Sequence, residues 1–214
     1  VQQADGIEYV LAIKIDFQDQ VGTRSGDQLD QYLFANQGIS LKTYYREVSY
    51  GQMEIQAGPA NGILPKGNKW IRANHLMSYY GDGKHNVSRY RELVREACRG
   101  IDTEIDFRRY DRDRNGIVDH LFVIHSGDDE ASTFTGTFGP NIWSVLVPGV
   151  NGKFDGVMVD AAVLVAEEPS FKHPHLGIYF HEFFHDFGAP DVYGSPMIDS
   201  RDHKWGLMGM YGPY

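Results

Sequence analysis

The sequence has one cysteine, fewer basic than acidic residues and no long apolar run, and each of these features argues against a type of structure or partner. With Cys98 alone, no disulfide can form within the chain, so the fold must rest on a hydrophobic core, which 214 residues can build. The 20 basic residues against 29 acidic ones give a net charge of −9, which argues against nucleic acid as a partner. No apolar segment approaches the length of a membrane span, and no signal peptide opens the sequence. We therefore expect a protein that is either cytosolic or already processed.

Strand-like and helix-like segments are mixed along the chain, without a repeat or a linker-like stretch. Apolar and β-branched segments predict strands at 7–16, 53–57, 117–125, 141–147 and 157–166. Amphipathic spacing predicts helices at 25–34, 40–51 and 86–99, the second with Ser40 as its N-cap and Gly51 as its stop signal. We predict one α/β domain (α+β in the broader sense), with an N-terminal subdomain over 1–188 and a small loop-rich lobe over 189–214. The polar segment at 126–141 is expected to be a functional or mobile loop.

The stretch HEFFHDFGAPD, which begins at His181, carries the strongest chemical signal. On a helix, residues i, i+1 and i+4 share a face, so His181, Glu182 and His185 project together while the phenylalanines around them pack inward. Two imidazoles one helical turn apart can bind a single zinc ion, and the adjacent glutamate can hold a water molecule beside it. The spacing therefore predicts a zinc site with His181 and His185 as ligands and Glu182 as the general base.

A catalytic zinc ion usually has three protein ligands and an open position, so one more ligand is needed. No glutamate follows Glu182, which excludes a downstream glutamate ligand. Gly188 can end the helix in a left-handed conformation, and Pro190 then keeps the approach to Asp191 extended. We predict Asp191 as the third ligand and keep His203 as the alternative, because histidine is the commoner zinc ligand.

A second metal-like pattern, DRDRNGIVD, begins at Asp111. Asp111, Asp113 and Asn115 stand at alternate positions before a glycine that allows a sharp turn, as at the start of a calcium loop. The twelfth position, a glutamate in an EF-hand, is phenylalanine here, so Asp119 would substitute, with the Ile117 carbonyl as a further ligand. We interpret the segment as a structural calcium site. The alternative is an aspartate-rich turn whose carboxylates pair with neighbouring arginines.

The motif HEFFHDFGAPDVYG resembles the H-E-x-x-H-x-x-G-x-P-D-x-Y signature of the immune inhibitor A family of secreted bacterial metallopeptidases, within the metzincin clan. Four other segments are similar to that family's recurrent segments, in the same order: YYREVSYGQMEI, YDRDRNGIVDHLFVIHSG, NIWS and KWGLMGMYG. The resemblance implies a metzincin-like catalytic domain with a twisted, mostly parallel sheet, a backing helix and a zinc-site helix. It also implies a Met-turn, for which Met208 fits best and Met210 is the alternative; Tyr211 does not fit the spacing of a further ligand. The chain ends at Tyr214, shortly after this turn, so we expect further elements of a longer relative to be absent or cleaved off.

These observations predict a secreted zinc endopeptidase that hydrolyses peptide bonds of proteins by a metal-activated water, with Glu182 as the general base. The expected cofactors are Zn²⁺ and a structural Ca²⁺. Two alternatives remain open: a zinc amidase acting on a small or cell-wall peptide, and a non-catalytic, metal-stabilised binding module. Glu182 argues against the second, because a structural site needs no base. By the clan resemblance, an extended substrate would pair with an exposed strand edge beside the cleft.

Overall fold

The chain folds into a mixed α/β structure, seen in a computed structural model that describes residues 6–81, 85–130, 141–168, 176–192 and 207–208. In chain order the elements are β1 (Gly6–Asp16), α1 (Gly26–Phe34), α2 (Leu41–Val48), β2 (Met53–Gln56), β3 (Ile71–Arg72), α3 (Met77–Tyr80), α4 (Val87–Ile101), β4 (His120–Asp128), β5 (Val145–Phe154), β6 (Val157–Glu168) and α5 (Gly177–Asp186). Short 3-10 helices at Gly58–Ala60 and Phe107–Tyr110 lie in the connections.

The described strands form a six-stranded, mostly parallel sheet. Its main order is β2-β1-β4-β6-β5, and β3 also pairs with β1. Strand β1 is parallel to β2, β3 and β4, and β4 is parallel to β6, whereas β5 is antiparallel to β6. The central strands are buried along nearly their whole length, which is typical of parallel strands covered by helices on both faces. The predicted fold class is confirmed.

Helices cover the two faces of the sheet and create two cores. Helices α1, α2 and α5 pack over one face, where Phe122 and Val163 are buried. Helices α3 and α4 pack over the other face, where Val123 and Leu164 are buried. Because successive strand residues point to opposite faces, chain neighbours such as Phe122 and Val123 belong to different cores. The H-E-x-x-H helix α5 therefore shares its side of the sheet with α1 and α2, and α4 is the backing helix.

Local signals define where α2 begins and stops. The Ser40 hydroxyl accepts a hydrogen bond from the Thr43 N–H at 3.1 Å, and the Ser40 N–H donates to the Thr43 hydroxyl at 2.9 Å. This reciprocal pair is a capping box, which confirms Ser40 as the N-cap. The helix ends at Val48, earlier than predicted, and Gly51 follows with φ at +77°.

Strand β5 differs most from its prediction. The sequence predicted a strand at 141–147, but β5 begins at Val145 and continues through Pro148 to Phe154. Pro148 lacks a backbone N–H, which an edge strand tolerates on its open side, and the pairing with β6 shifts register between Pro148 and Gly152. The other predicted strands and helices are present with shifted ends.

Two predicted regions are described only in part. Of the loop at 126–141, residues 131–140 lie outside the described residues. Of the predicted lobe at 189–214, the structure describes 189–192 and 207–208, so the division of the domain stays a prediction. No helix in the described part of the chain is both long and apolar enough to cross a membrane.

Adjacent tyrosines on α2 provide a matched test of how this helix holds α5. The Tyr45 hydroxyl is buried and donates to the Phe180 carbonyl at 2.7 Å. The half-buried Tyr44 ring stacks on Phe180 at 4.5 Å, and its hydroxyl makes no hydrogen bond to the described residues. We expect Tyr45→Phe to lower the free energy of unfolding by about 1 kcal/mol. Tyr44→Phe should change it by less than about 0.5 kcal/mol. Urea titration followed by circular dichroism measures both, and equal effects would contradict the assignment.

Candidate metal centre

Helix α5 presents the H-E-x-x-H segment to a cleft and buries its opposite side. Phe183 is fully buried in the core that α5 shares with α1 and α2. The Tyr179 hydroxyl donates to the Ala166 carbonyl of β6 at 2.6 Å, and Tyr45 of α2 bonds the Phe180 carbonyl as described above. The helix is thus tied to the sheet on one side and to α2 on another.

The three predicted zinc ligands come together at one point. The Nε2 atoms of His181 and His185 are 3.2 Å apart, and Asp191 Oδ1 lies 3.2 Å from the first and 3.4 Å from the second. Two ligand atoms at about 2.0–2.1 Å from a tetrahedral zinc ion are about 3.3 Å from each other. The two imidazole nitrogens and the carboxylate oxygen therefore fit a zinc ion in number, type and spacing.

Backbone carbonyls determine which nitrogen of each imidazole faces the other ligands. His181 Nδ1 lies 2.9 Å from the Leu207 carbonyl oxygen, and His185 Nδ1 lies 2.8 Å from that of Ala189. Since a carbonyl oxygen can only accept, each Nδ1 carries a proton, which makes Nε2 the nitrogen with the lone pair in the neutral form of each imidazole. Asp191 Oδ1, which faces both lone pairs, is buried without a hydrogen-bond partner among the described residues. Three electron-rich atoms at these distances repel one another unless a cation lies between them.

The His181 side chain is held in the state that a metal requires. Burial lowers its pKa, and so does the neighbouring His185, while the hydrogen bond to Leu207 and the charge of Asp191 act in the opposite direction. The net effect is a lowered pKa, which favours the neutral imidazole that binds metals.

The turn after α5 returns the chain to the ligand group. Gly188 has φ at +85°, a left-handed conformation that glycine adopts without strain. Its N–H donates to the His185 carbonyl at 2.7 Å, which closes the last turn of the helix. The predicted stop at Gly188 is confirmed, and Asp191 follows it beside the imidazoles.

Glu182 lies beside the ligands and against the edge strand β5. Its Oε2 accepts a hydrogen bond from the Leu146 N–H at 2.8 Å, and its Oε1 is 3.9 Å from His181 Nε2. Burial, together with the charges of Asp129 and Asp191, raises the pKa of Glu182 to about 8 against the opposing effect of the Leu146 N–H. A carboxyl group with a pKa near neutrality is suited to proton transfer.

The ligand group and Glu182 line a cleft of about 380 Å³. Val145 and Leu146 of β5 contribute one part of its wall. Trp143 and His85 contribute another, with ring centroids 4.6 Å apart. Trp143 precedes β5, and His85 lies in the connection before α4. Nothing in the sequence indicates that these two residues meet.

The segment assigned to the Met-turn lies next to the predicted metal ligands. The Leu207 carbonyl accepts from His181, and the Met208 carbonyl accepts from the Val192 N–H at 3.1 Å. The Met208 side chain is buried. Its role as the Met-turn methionine stays a prediction. Three residues considered above lie outside the described residues: His203, Met210 and Tyr211.

The aspartate-rich loop before β4 also gathers oxygens. Asp111, Asp113 and Asp119 each place a carboxylate oxygen within 4.8 Å of the others. Gly116 takes φ at +89°, and its N–H donates to Asp111 Oδ2 at 3.0 Å, so the glycine turn is formed as predicted. The Asn115 side-chain oxygen accepts the Ile117 N–H at 2.8 Å.

Two of the arginines near this loop have other partners. Arg108 pairs with Asp106 at 2.8 Å, and the Arg112 guanidinium lies 4.8 Å from the centre of the Tyr9 ring. The ion pairs found among the described residues include none between these arginines and the three loop aspartates. The alternative of an arginine-neutralised turn therefore gains no support.

Comparison with known proteins gives the family. The family model for the immune inhibitor A peptidase M6 catalytic domain matches residues 17–211 of this chain. The chain is 30% identical over 203 residues to the pre-pro-metalloprotease PrtV of Vibrio cholerae serotype O1, in a match that covers 79% of this chain and 21% of that protein. It is 26% identical over 207 residues to immune inhibitor A of Bacillus thuringiensis subsp. alesti, with 79% and 28% covered.

The chain thus spans between a fifth and a third of the length of these relatives. The match nevertheless extends over nearly all of the present chain and includes the α5 helix, the Gly188 turn and the residues beyond them. This agrees with the resemblance carried by HEFFHDFGAPDVYG and its companion segments. The chain belongs to the immune inhibitor A peptidase M6 family.

Proposed function

We propose that this chain is the catalytic domain of a zinc-dependent endopeptidase that cleaves protein substrates. The observation that carries the proposal is the triangle formed by His181 Nε2, His185 Nε2 and Asp191 Oδ1, with sides of 3.2, 3.2 and 3.4 Å. Glu182 lies directly beside it. Membership of a metallopeptidase family supports the same reaction class.

Each group in the site has a definite task in this proposal. Zinc, when bound by the two histidines and Asp191, supplies Lewis acidity for peptide hydrolysis. Glu182 accepts a proton from the attacking water and then delivers it to the leaving amine. The Leu146 N–H holds Oε2 of Glu182, so Oε1 remains available on the side of His181. An aspartate among the ligands leaves the site less positive than three imidazoles would, so the metal would be a weaker Lewis acid than one held by three histidines.

The outer edge of β5 is the surface on which we place an extended substrate. Further along this strand, Arg91 and Arg95 of α4 donate to the carbonyls of Pro148 and Val150, both at 2.7 Å. These arginines cover the edge away from the cleft, while Leu146 lies at the cleft itself. Pairing along a strand edge recognises the backbone of an extended chain. An edge strand beside the cleft favours protein substrates over the amidase alternative, in which a closed pocket would hold a small molecule.

Secretion belongs to the proposal as well. The name of the Vibrio relative, a pre-pro-metalloprotease, describes a precursor with removable leading segments. We extend that processing, and action outside the cell, to this protein.

A structural calcium ion in the loop before β4 is a second proposal. It is supported by the converging oxygens of Asp111, Asp113 and Asp119, and by Asp111 Oδ1, which is buried without a hydrogen-bond partner among the described residues. Burial raises the pKa of Asp119, as do the nearby charges of Asp113 and Asp111, against the Arg112 N–H and the charge of His120. A hard divalent cation would neutralise this cluster of carboxylates.

Glu182→Gln tests the assignment of the general base. Glutamine keeps the side-chain length and an oxygen that can accept the Leu146 N–H, but it cannot take up a proton. We expect kcat for casein hydrolysis to fall by about 10²–10⁴-fold while the zinc content stays equal to that of the parent. An unchanged rate at full zinc content would exclude Glu182 as the base. If neither protein cleaves casein while both bind zinc tightly, the amidase and binding-module alternatives are favoured.

Asp191→Ala and His203→Ala together test the third ligand. We expect Asp191→Ala to weaken zinc binding by more than the roughly 10–100-fold typical of residues outside the ligand shell, because a ligand itself is lost. His203→Ala should bind zinc as the parent does. Competition with a chromophoric chelator measures both dissociation constants. The opposite ranking would assign the third ligand to His203.

Calcium binding predicts a change in thermal stability. At a calcium concentration about 100 times the dissociation constant, we expect Tm to rise by roughly 5–10 °C. Asp111→Asn keeps an acceptor for the Gly116 N–H but removes a charge, and it should abolish most of this rise. The control is Asp160→Asn, an exposed carboxylate on β6. Thermal scans with calcium and with EGTA supply the measurement, and identical Tm values for the parent in both would refute the site.

A further inference from the structure

A buried histidine on β4 lies between two carboxylates from different parts of the fold. His120 is 1% exposed. Its Nδ1 lies 2.6 Å from Asp186 Oδ2, on the last residue of α5, and its Nε2 lies 3.5 Å from Glu8 Oε2 on β1. The first contact is a short, charge-assisted hydrogen bond, and the second is an ion-pair contact at its long limit. The three side chains join two sheet strands to the helix that carries the metal ligands.

The three groups form a charged cluster. Burial alone lowers the pKa of His120, but the interactions with Asp186 and Glu8 outweigh burial and raise this pKa to about 9. The imidazole is therefore positively charged at neutral pH. Asp186 ends α5, where the helix dipole disfavours a carboxylate and favours a cation. His120 thus compensates both the buried charge of Asp186 and the negative end of the helix.

Aromatic packing reinforces the contact. The His120 ring lies 5.0 Å from the ring centroids of both Phe183 and Phe187. Phe183 lies within α5, and Phe187 is the residue directly after it. The imidazole therefore holds the C-terminal turn of the helix through its charge and through its ring faces.

That turn carries one of the three proposed ligands and leads to a second. His185 belongs to it, and the Gly188 turn that leads to Asp191 follows directly. The His185 imidazole also bonds the Ala189 carbonyl, so ligand and turn move as one unit. His181 has a separate anchor in the Leu207 carbonyl. A shift at the end of α5 would displace His185 and Asp191 relative to His181.

We propose that His120 is a positioning residue for the metal centre. Through its contacts with Asp186 and Glu8, His120 holds the C-terminal turn of α5. His185 and Asp191 then meet His181 at ligand distances. This inference rests on the zinc site proposed above. It assigns a role to a histidine outside the H-E-x-x-H motif that touches none of the three ligand atoms.

His120→Phe is the primary test. The dissociation constant for zinc is measured by competition with a chromophoric chelator. Circular dichroism first shows that the variant is folded. Phenylalanine keeps a ring against Phe183 and removes the contact with Asp186. We expect zinc binding to weaken by about 10–100-fold. Loss of a positive charge near the site would by itself strengthen the binding of a cation, so weaker binding reports misplaced ligands.

His125→Phe is the matched control. His125 is a buried histidine on the same strand, but it faces the opposite side of the sheet, with its ring 6.5 Å from that of Phe17. We expect its zinc affinity to equal that of the parent. Any general effect of replacing a buried histidine on β4 would appear in this variant too.

A second pair of variants is used if the His120→Phe protein fails to fold because Glu8 and Asp186 are left buried without a positive partner. The double variant Glu8→Gln/His120→Phe removes one charge of each sign, so the net charge of the cluster is unchanged, yet Asp186 still loses its partner. We expect it to bind zinc about 10-fold or more weakly than Glu8→Gln alone, which keeps the contact between His120 and Asp186.

The outcomes are distinct. A folded His120→Phe or double variant that binds zinc as tightly as its reference overturns the positioning role and leaves the zinc site standing. Equal weakening in His125→Phe also overturns it. A parent protein that binds no zinc overturns the proposed function, and this inference with it.

Discussion

The structure of the cleft depends on one electrostatic constraint. Two imidazole nitrogens with lone pairs and a carboxylate oxygen face one another at 3.2–3.4 Å, where each repels the other two. Such an arrangement is costly in a partly buried site unless a cation balances it. Moving the Nδ1 proton of either imidazole to Nε2 would break its hydrogen bond to the carbonyl of Leu207 or Ala189. Much of the surrounding fold serves to maintain this geometry.

That geometry is supported by contacts from separate parts of the chain. The hydroxyls of Tyr45 and Tyr179 fasten α5 to α2 and to β6, respectively. On the far side of the ligands, Leu207 reaches His181 from a distant segment. The Leu146 N–H of β5 holds Glu182. Because these supports come from a helix, two strands and a late segment, the site depends on the tertiary fold rather than on the α5 helix alone.

The sequence predicted what depends on local spacing. The i, i+1, i+4 pattern located His181, Glu182 and His185 on one helical face, and the glycine–proline signal located the turn towards Asp191. Apolar segments likewise predicted the strands, and the family resemblance implied that the sheet is mostly parallel. The backbone groups that orient the ligands have no sequence signal, since any residue supplies a carbonyl or an N–H. The contacts of His120 and the Trp143–His85 pair depend on long-range packing, and β5 runs through Pro148 because it lies at an edge.

The two arginines that cover the outer edge of β5 have a consequence for turnover. A peptide paired along the whole strand would be held by many backbone hydrogen bonds and would dissociate slowly, so departure of the cleaved chain would limit the rate. With Arg91 and Arg95 bound to the carbonyls of Pro148 and Val150, the ladder available beside the cleft is short. Under the substrate pairing proposed above, a cut chain would be held at this edge by few bonds. In that proposal the two arginines favour rapid release of the products between successive cuts.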